Sequence, residues 1–506
     1  MNFRKILQKN WLFALIAFIF LVTRFINLTR LPIFTDESIY LLWARELSLK
    51  PTRIFISLSD GKQPLFIWLS AIGIRILPQA YLFWGRLVSV LAGFFTLIGT
   101  YAVTQKFFKN KKASLLASIF VLLSPYLLFH DRLAVMDSLM CAFGIWVVFF
   151  GLKLQESIKP GPLFQKRPLI KSVILGFVLG SALLVKSPAI FFVYLLPLNF
   201  IFFEPQKLKT YKQTIIYYST SIFLAKIIYF PLHLSNAFFI IAMKNRDFVL
   251  TLGEFIQKPM FFFPNNVHSF LVWLGEYFTW PIFFLCLISL IFGFFIKRYR
   301  NQSLYIFIYA LFPFLAISLF GKIIFPRYLL FITPLLLISL SGFLFHCYKK
   351  GKKAFFYFAV SLLFLPTLLF DLKIIFNPEK APLPNTDQNQ YVRSESSGYG
   401  LDKVYQFLES ELQKNPKVFL VTEGTFGLFP YAIQLHFYDR LDRLQILDYY
   451  PLTATLNPKV FEVAKNFPTY LLLKDHQTAE PTWRARLIIE SPKPGGHKVL
   501  LYQIVL

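Results

Sequence analysis

Two adjacent carboxylates, Asp36 and Glu37, stand in the run Phe34-Thr35-Asp36-Glu37-Ser38, directly after a long apolar stretch. Acids beside a membrane are costly unless they are solvated or used, and a carboxylate that takes a proton from a hydroxyl acts as a general base. The competing reading is a helix start, with Thr35 or Asp36 as the cap and both acids favoured by the helix dipole. Lys62 follows in Asp60-Gly61-Lys62-Gln63-Pro64-Leu65, a turn with a cation that opens an apolar helix. It either snorkels to an interface or holds an anionic headgroup.

Further cations lie among apolar residues: Arg86 in Gly85-Arg86-Leu87, Arg132 five residues before Asp137, Lys186 in Val185-Lys186-Ser187-Pro188, and Lys322, Arg327 and Tyr328 in Gly321 to Tyr328. An isolated guanidinium in apolar surroundings needs a partner, and an Arg86 to Asp137 ion pair is the structural alternative to a functional role. Arginine offers a planar fork and lysine a point charge, and both suit phosphate. Acids for a hydroxyl nucleophile and cations for a phosphate are the parts a group transfer from a lipid phosphate would need.

The elements that position these residues are membrane helices. The chain has 506 residues, 56% of them hydrophobic and 16% charged, against about a quarter charged in soluble domains. Spans of roughly 20 apolar residues are expected near 11–28, 82–105, 113–130, 133–152, 171–186, 188–203, 213–233, 268–296, 302–320, 328–346 and 354–373. The net charge of +27 is dispersed in short runs between them, such as Lys349, Lys350, Lys352 and Lys353, which argues against a nucleic-acid surface. Arg4, Lys5 and Lys9 and the basic runs at 106–112, 153–171, 207–212, 297–300 and 349–353 fall on one side of an eleven-span chain. That is the positive-inside pattern. It places the N-terminus inside and the loops at 29–81, 130–132, 186, 234–267 and 321–327 outside, together with the C-terminal part.

Stretches 37–49 and 64–77 are expected to lie along the membrane interface. From about Asn377 the composition turns polar, and a helix at 400–414 with strands at 416–422, 469–474, 485–490 and 498–505 predicts a small α/β unit. The expected architecture is therefore a mainly α, polytopic transmembrane helical bundle of about 11 spans at 1–376, with a large first outer loop at 29–81. A linker and soluble extracytoplasmic α/β domain follow at 377–506. Cys141, Cys286 and Cys347 sit in or beside apolar segments without metal or disulfide spacing, and His130, His233 and His268 are scattered. No metal ligand set is assigned, no cofactor is required, and a divalent metal is left open.

In order, Asp36-Glu37, Lys62-Gln63-Pro64-Leu65 with Trp68, Gly85-Arg86-Leu87, Arg132 then Asp137, Lys186, and Arg327-Tyr328 resemble the class C, polyprenyl-phosphate-sugar-dependent glycosyltransferases, among them protein O-mannosyltransferases and lipid A aminoarabinose transferases. The resemblance covers about residues 10–345, and it departs where the family's Lys-Pro-Pro is Lys62-Gln63-Pro64, preceded by Gly61. It implies an inverting membrane enzyme that moves a sugar from a polyprenyl-phosphate donor to an envelope lipid, glycan or protein outside the cytoplasm. It also implies Asp36 as base, Glu37 and Asp137 as positioning carboxylates, and Lys62, Arg86, Arg132, Lys186, Lys322, Arg327 and Tyr328 as candidates to hold the donor phosphate. The expected location is the plasma (inner) membrane. The rival is a multi-span transporter or flippase of lipid-linked or anionic solutes, which would place its charges near the midplane on broken helices and show internal repeats.

Overall fold

The computed structural model describes residues 3–204, 207–424, 426–453, 455–474, 477 and 479–506. The side chains of residues 3–10, including Arg4, Lys5 and Lys9 of the orientation argument, lie outside the described ones. The chain divides into two compact units. The first comprises Met1–Leu28, Ile54–Leu69 and Arg86–Pro384; the second comprises Thr29–Arg53, Ser70–Gly85 and Asn385–Leu506. The stretch at 29–81, expected as the first outer loop, is thus divided between the two units, whereas composition drew a single boundary after 376.

Six described helices are long and apolar enough to cross a membrane: Pro78–Phe108, whose residues from Arg86 on belong to the first unit, and Met136–Gln155, Lys207–Leu234, Arg300–Phe320, Pro326–Lys349 and Lys353–Phe376, all in the first unit. Two bent pairs raise the number to eight if each is one span. The remaining expected spans fall on shorter elements, Trp11–Phe25, Lys166–Leu183 and Ser187–Phe203.

The bends have local causes. At 113–130 the helix Lys111–Leu122 stops and Pro125–Asp131 restarts at 59°. Pro125 cannot donate into a continuing helix, and the Ser124 hydroxyl caps the new one by accepting from the Leu127 N–H. The expected span at 268–296 is two 16-residue helices, Phe263–Phe278 and Trp280–Phe295, bent by 110°. Thr279 between them has a φ of +58°, and Pro281 opens the second helix. Each is about 24 Å long at 1.5 Å per residue, short of a 30 Å hydrocarbon core.

Helices Lys166–Leu183 and Lys207–Tyr229 pack along a seam of small residues at four-residue spacing, Ser172, Gly176 and Gly180. A Cβ on Gly176 would sit 2.7 Å from the Ser221 carbonyl oxygen, and one on Gly180 would sit 2.8 Å from Ile228. The Ser172 hydroxyl meets that of Ser221 at 3.0 Å. Lipid gives apolar side chains no reason to cluster, so close backbone approach and interhelical hydrogen bonds hold such pairs.

The second unit carries a five-stranded sheet. Strands β1 (Val418–Glu423), β2 (Leu444–Tyr449), β3 (Thr469–Lys474), β4 (Ala485–Pro492) and β5 (Lys498–Ile504) run in the order β2-β1-β3-β5-β4. β1 is parallel to both β2 and β3, while β5 is antiparallel to β3 and β4. Val421, Leu471, Leu473 and Trp483 form its buried core. The stretch at 37–49 is not an interfacial helix. It lies in Thr35–Leu49, whose residues from Glu37 to Arg45 are buried and which packs on Leu428–His436. Arg45 pairs there with Asp439 and lies 5.1 Å over the Tyr438 ring.

Candidate functional site

Asp137 sits in the first turn of helix Met136–Gln155, where the dipole favours a negative charge. Its carboxylate is nearly inaccessible, at 6% side-chain exposure, so it needs cations, and two separate segments supply them. The Lys186 ammonium donates to Oδ1 at 2.7 Å, and Arg327 Nε approaches Oδ2 at 3.7 Å. Lys186 lies in an extended residue between Lys166–Leu183 and the turn opened by Pro188. Arg327 begins the turn Pro326–Ile332, which leads into helix Thr333–Lys349. The expected Arg86 to Asp137 pair is therefore not formed.

Aromatic rings complete the setting. The Lys186 ammonium is 4.7 Å from the Tyr328 ring, and the Arg327 guanidinium lies 4.9 Å over Phe325. The Lys62 loop is fastened to the same segment: Gln63 Nε2 donates to the Ser187 hydroxyl at 2.7 Å, and the Leu65 N–H donates to the Leu184 carbonyl at 3.0 Å. Gly61, at φ +68°, makes the turn, and a Cβ there would press on the Ile240 carbonyl oxygen at 2.9 Å. This backbone leaves no room for a side chain at position 61. Lys62 forms no ion pair among the described residues, its ammonium lies 5.2 Å over Phe248, and its charge is felt at Lys186. Lys62, Lys186 and Arg327 thus gather three cations in the neighbourhood of Asp137.

Other expected site residues have different duties. Arg132 donates to the Thr23, Arg24, Ile26 and Asn27 carbonyls at 2.8 to 3.0 Å, which caps the end of helix Phe3–Phe25. Arg86, fully buried, donates to the next carbonyl, Leu28, at 2.8 Å. Lys322 bonds Glu254 at 2.7 Å and the Arg246 carbonyl at 2.9 Å. The Lys322 ammonium and the Thr251 N–H and hydroxyl push the Glu254 carboxyl down to about 2. In the second unit Asp36 is half-buried in the first turn of Thr35–Leu49. The cap residue of that helix is Phe34, not Thr35 or Asp36, and the buried Glu37 carboxylate accepts the Phe34 N–H at 3.2 Å. Thr35 N–H and hydroxyl both donate to the Ser396 carbonyl, at 3.0 and 3.2 Å, and the Phe34 ring meets that of Tyr391 at 4.6 Å.

Two features escaped sequence reasoning. Arg24, inside the first apolar stretch, is fully buried and pairs with Asp131 at 3.5 Å, and its presence in that stretch was the signal that a partner must exist. His130, packed against Tyr126, Phe129 and Tyr277, holds the Tyr126 carbonyl at 2.9 Å through Nδ1 and leaves Nε2 unbonded. Among the described residues no three His, Cys, Asp or Glu side chains gather as a metal site needs.

Residues 61–232 match the family described as dolichyl-phosphate-mannose-protein mannosyltransferase. The fold superposes on ArnT from Cupriavidus metallidurans bound to undecaprenyl phosphate with a TM-score of 0.63, at 14% identity over 98% of this chain and 97% of that one. The chain shares the fold of ArnT. The same fold relates it to the archaeal oligosaccharyltransferase AglB from Archaeoglobus fulgidus, solved with an inhibitory peptide and a dolichol-phosphate. There the TM-score is 0.53 and the identity 12%, over 93% of this chain and 70% of that one. No curated protein sequence matches the chain. The likeness in fold and the apolar helices are those of a multi-pass membrane protein.

Proposed function

We propose that the protein transfers a glycosyl unit from a polyprenyl-phosphate donor to an envelope lipid, glycan or protein on the outer face of the membrane, with inversion at the anomeric carbon. The observation that carries the reading is the gathering of Lys186, Arg327 and the loop-held Lys62 around Asp137. The fold likeness to a protein solved with undecaprenyl phosphate adds to it.

In this reading an acceptor hydroxyl oxygen attacks the anomeric carbon and its proton passes to Asp36. The bond from that carbon to the phosphate oxygen breaks, and polyprenyl phosphate leaves with the electron pair. The leaving phosphate gains negative charge as the bond breaks, so Lys62, Lys186 and Arg327 hold it more tightly in the transition state than in the ground state, which lowers the barrier. Asp137 keeps Lys186 and Arg327 in place and, with Glu37, serves positioning. Tyr328 lines the Lys186 ammonium. Arg86 stays a candidate for the donor phosphate, while Arg132 and Lys322 are left out of this division because carbonyls and Glu254 engage them.

Purified protein in nanodiscs with radiolabelled polyprenyl-phosphate sugars tests the reading. Asp36→Asn is expected to lower kcat by roughly a hundredfold or more, the usual worth of a general base, with donor binding unchanged. Lys186→Met is expected to lower kcat and to raise the donor KM. Full transfer by Asp36→Asn would remove the base assignment. The 110° break at Thr279 is the kind of interrupted helix a transporter uses; exchange of a solute across liposomes without any sugar transfer would establish that reading instead.

A further inference from the structure

A second group of cations lies at the other ends of the helices that carry the candidate site. Lys153 follows Asp137 by sixteen residues on Met136–Gln155, about 24 Å along the axis, and Lys106 follows Arg86 by twenty on Tyr81–Phe108, about 30 Å. Lys153 and Lys106 thus stand at the far ends of these helices from Asp137 and Arg86. They line a cleft of about 390 Å³ with Tyr101, Lys109, Phe149 and Glu156. That volume is in the range of ligand sites.

The charges in and around this cleft are not balanced. Lys106 pairs with Glu156, while Lys153, Lys171 and Arg167 crowd the same neighbourhood and repel one another. Lys171 donates to the Lys153 carbonyl at 3.0 Å, and the Lys153 ammonium stands 5.7 Å over the Phe149 ring. Lys109 has a φ of +49°, a backbone conformation that glycine or asparagine takes at less cost, so a cation is held there against strain. By contrast Lys349, Lys350, Lys352 and Lys353 are exposed at the ends of two helices and on the turn between them, which is all that orientation of the chain requires.

An apolar lane leads to the cleft. Leu91, Phe95, Ile98 and Ala102 follow one another at helical spacing on Tyr81–Phe108; Leu91 and Phe95 are exposed, and Ala102 lines the cleft itself. A free anion would have no use for such a stripe, whereas an acyl chain would. We propose that this cleft binds the phosphate headgroup of an anionic phospholipid, in the leaflet opposite to Asp137, with an acyl chain along the Leu91 to Ala102 stripe. Basic pockets between membrane helices are suited to such headgroups.

The test uses the whole protein in nanodiscs of phosphatidylcholine with and without phosphatidylglycerol, reading thermal stability and, by native mass spectrometry, bound lipid. Phosphatidylglycerol should stabilise the protein. The variant with Lys106→Gln and Lys153→Gln should lose apparent affinity for it, roughly fivefold for each lysine, while Lys350→Gln with Lys352→Gln should not. Glu156→Gln, which removes the internal competitor without deleting a cation, should bind the lipid more tightly and keeps the test decisive if the double variant fails to fold. Equal response of all variants would overturn the proposal. So would stabilisation by inorganic phosphate alone in phosphatidylcholine discs, which would make the ligand a soluble anion.

Discussion

Arg132 shows how a side chain's surroundings can redirect its reading. Its position near Asp137 suggested a phosphate ligand, but its guanidinium is committed to four carbonyls at the end of the first helix. Arg132→Lys keeps the charge and loses the fork, so those carbonyls lose partners in an apolar setting. A fall in stability of about 2 kcal/mol or more, with an unchanged donor KM, is expected from thermal unfolding and donor titration. A raised KM with stability intact would return Arg132 to the phosphate ligands. Asp137, Lys186 and Arg327 were legible in the sequence because charge among apolar residues demands an explanation. Which cation meets which carboxylate was not, since the Arg86 pairing and the observed Lys186 and Arg327 pairings satisfy the same demand equally well on paper.

At the scale of elements, the small-residue seam of Lys166–Leu183 makes a sharp prediction. Gly176→Leu places a side chain where a Cβ alone already meets the Ser221 carbonyl at 2.7 Å, so the helices must separate. Overpacking of this kind costs about 1 to 3 kcal/mol, and Gly176→Ala should cost less than Gly176→Leu. Equal melting temperatures for wild type and both variants in detergent would show that the two helices do not depend on this contact. Helix positions were mostly legible because twenty-residue apolar runs have few other uses. The breaks were harder. Pro125 and Pro281 stand in the sequence, yet a proline can kink a membrane helix as well as end it. What turns the kink at 279 into a 110° bend is the positive φ of Thr279, which no residue pattern announces.

For the whole chain, the second unit is where acidity should be felt. His436 stacks on Tyr405 at 4.1 Å and burial pushes its imidazole below its ordinary value, while its partner Glu409 is also lowered despite burial, through bonds from His436 and Arg440. Both groups bind fewer protons folded than unfolded, so stability rises with pH. The contribution of His436 is fully present above about pH 6.5, the ordinary imidazole value, and is lost as pH falls from there toward its lowered folded value. Protection factors for hydrogen exchange in β1 and β3, corrected for the intrinsic rate, should therefore fall as pH goes from 7 to 5, and His436→Phe should flatten that dependence. An unchanged slope would show that another group sets it. The α/β character of this unit was legible in its short apolar runs. β2 was missed because Leu444–Tyr449 mixes apolar with polar residues and is only half-buried. The recruitment of the Asp36 helix was missed because nothing in residues 35–49 names a partner that lies some 360 residues away. That distance sets an order of events during biosynthesis. The Thr35 hydroxyl bonds the Ser396 carbonyl across 361 positions, and at about 5 to 20 residues per second the ribosome needs roughly 20 to 70 s to cover them. For that interval the carboxylate proposed as the base waits on a segment whose anchor has not yet been made, so a message cut short before codon 396 yields a chain that can insert its helices but cannot seat Asp36.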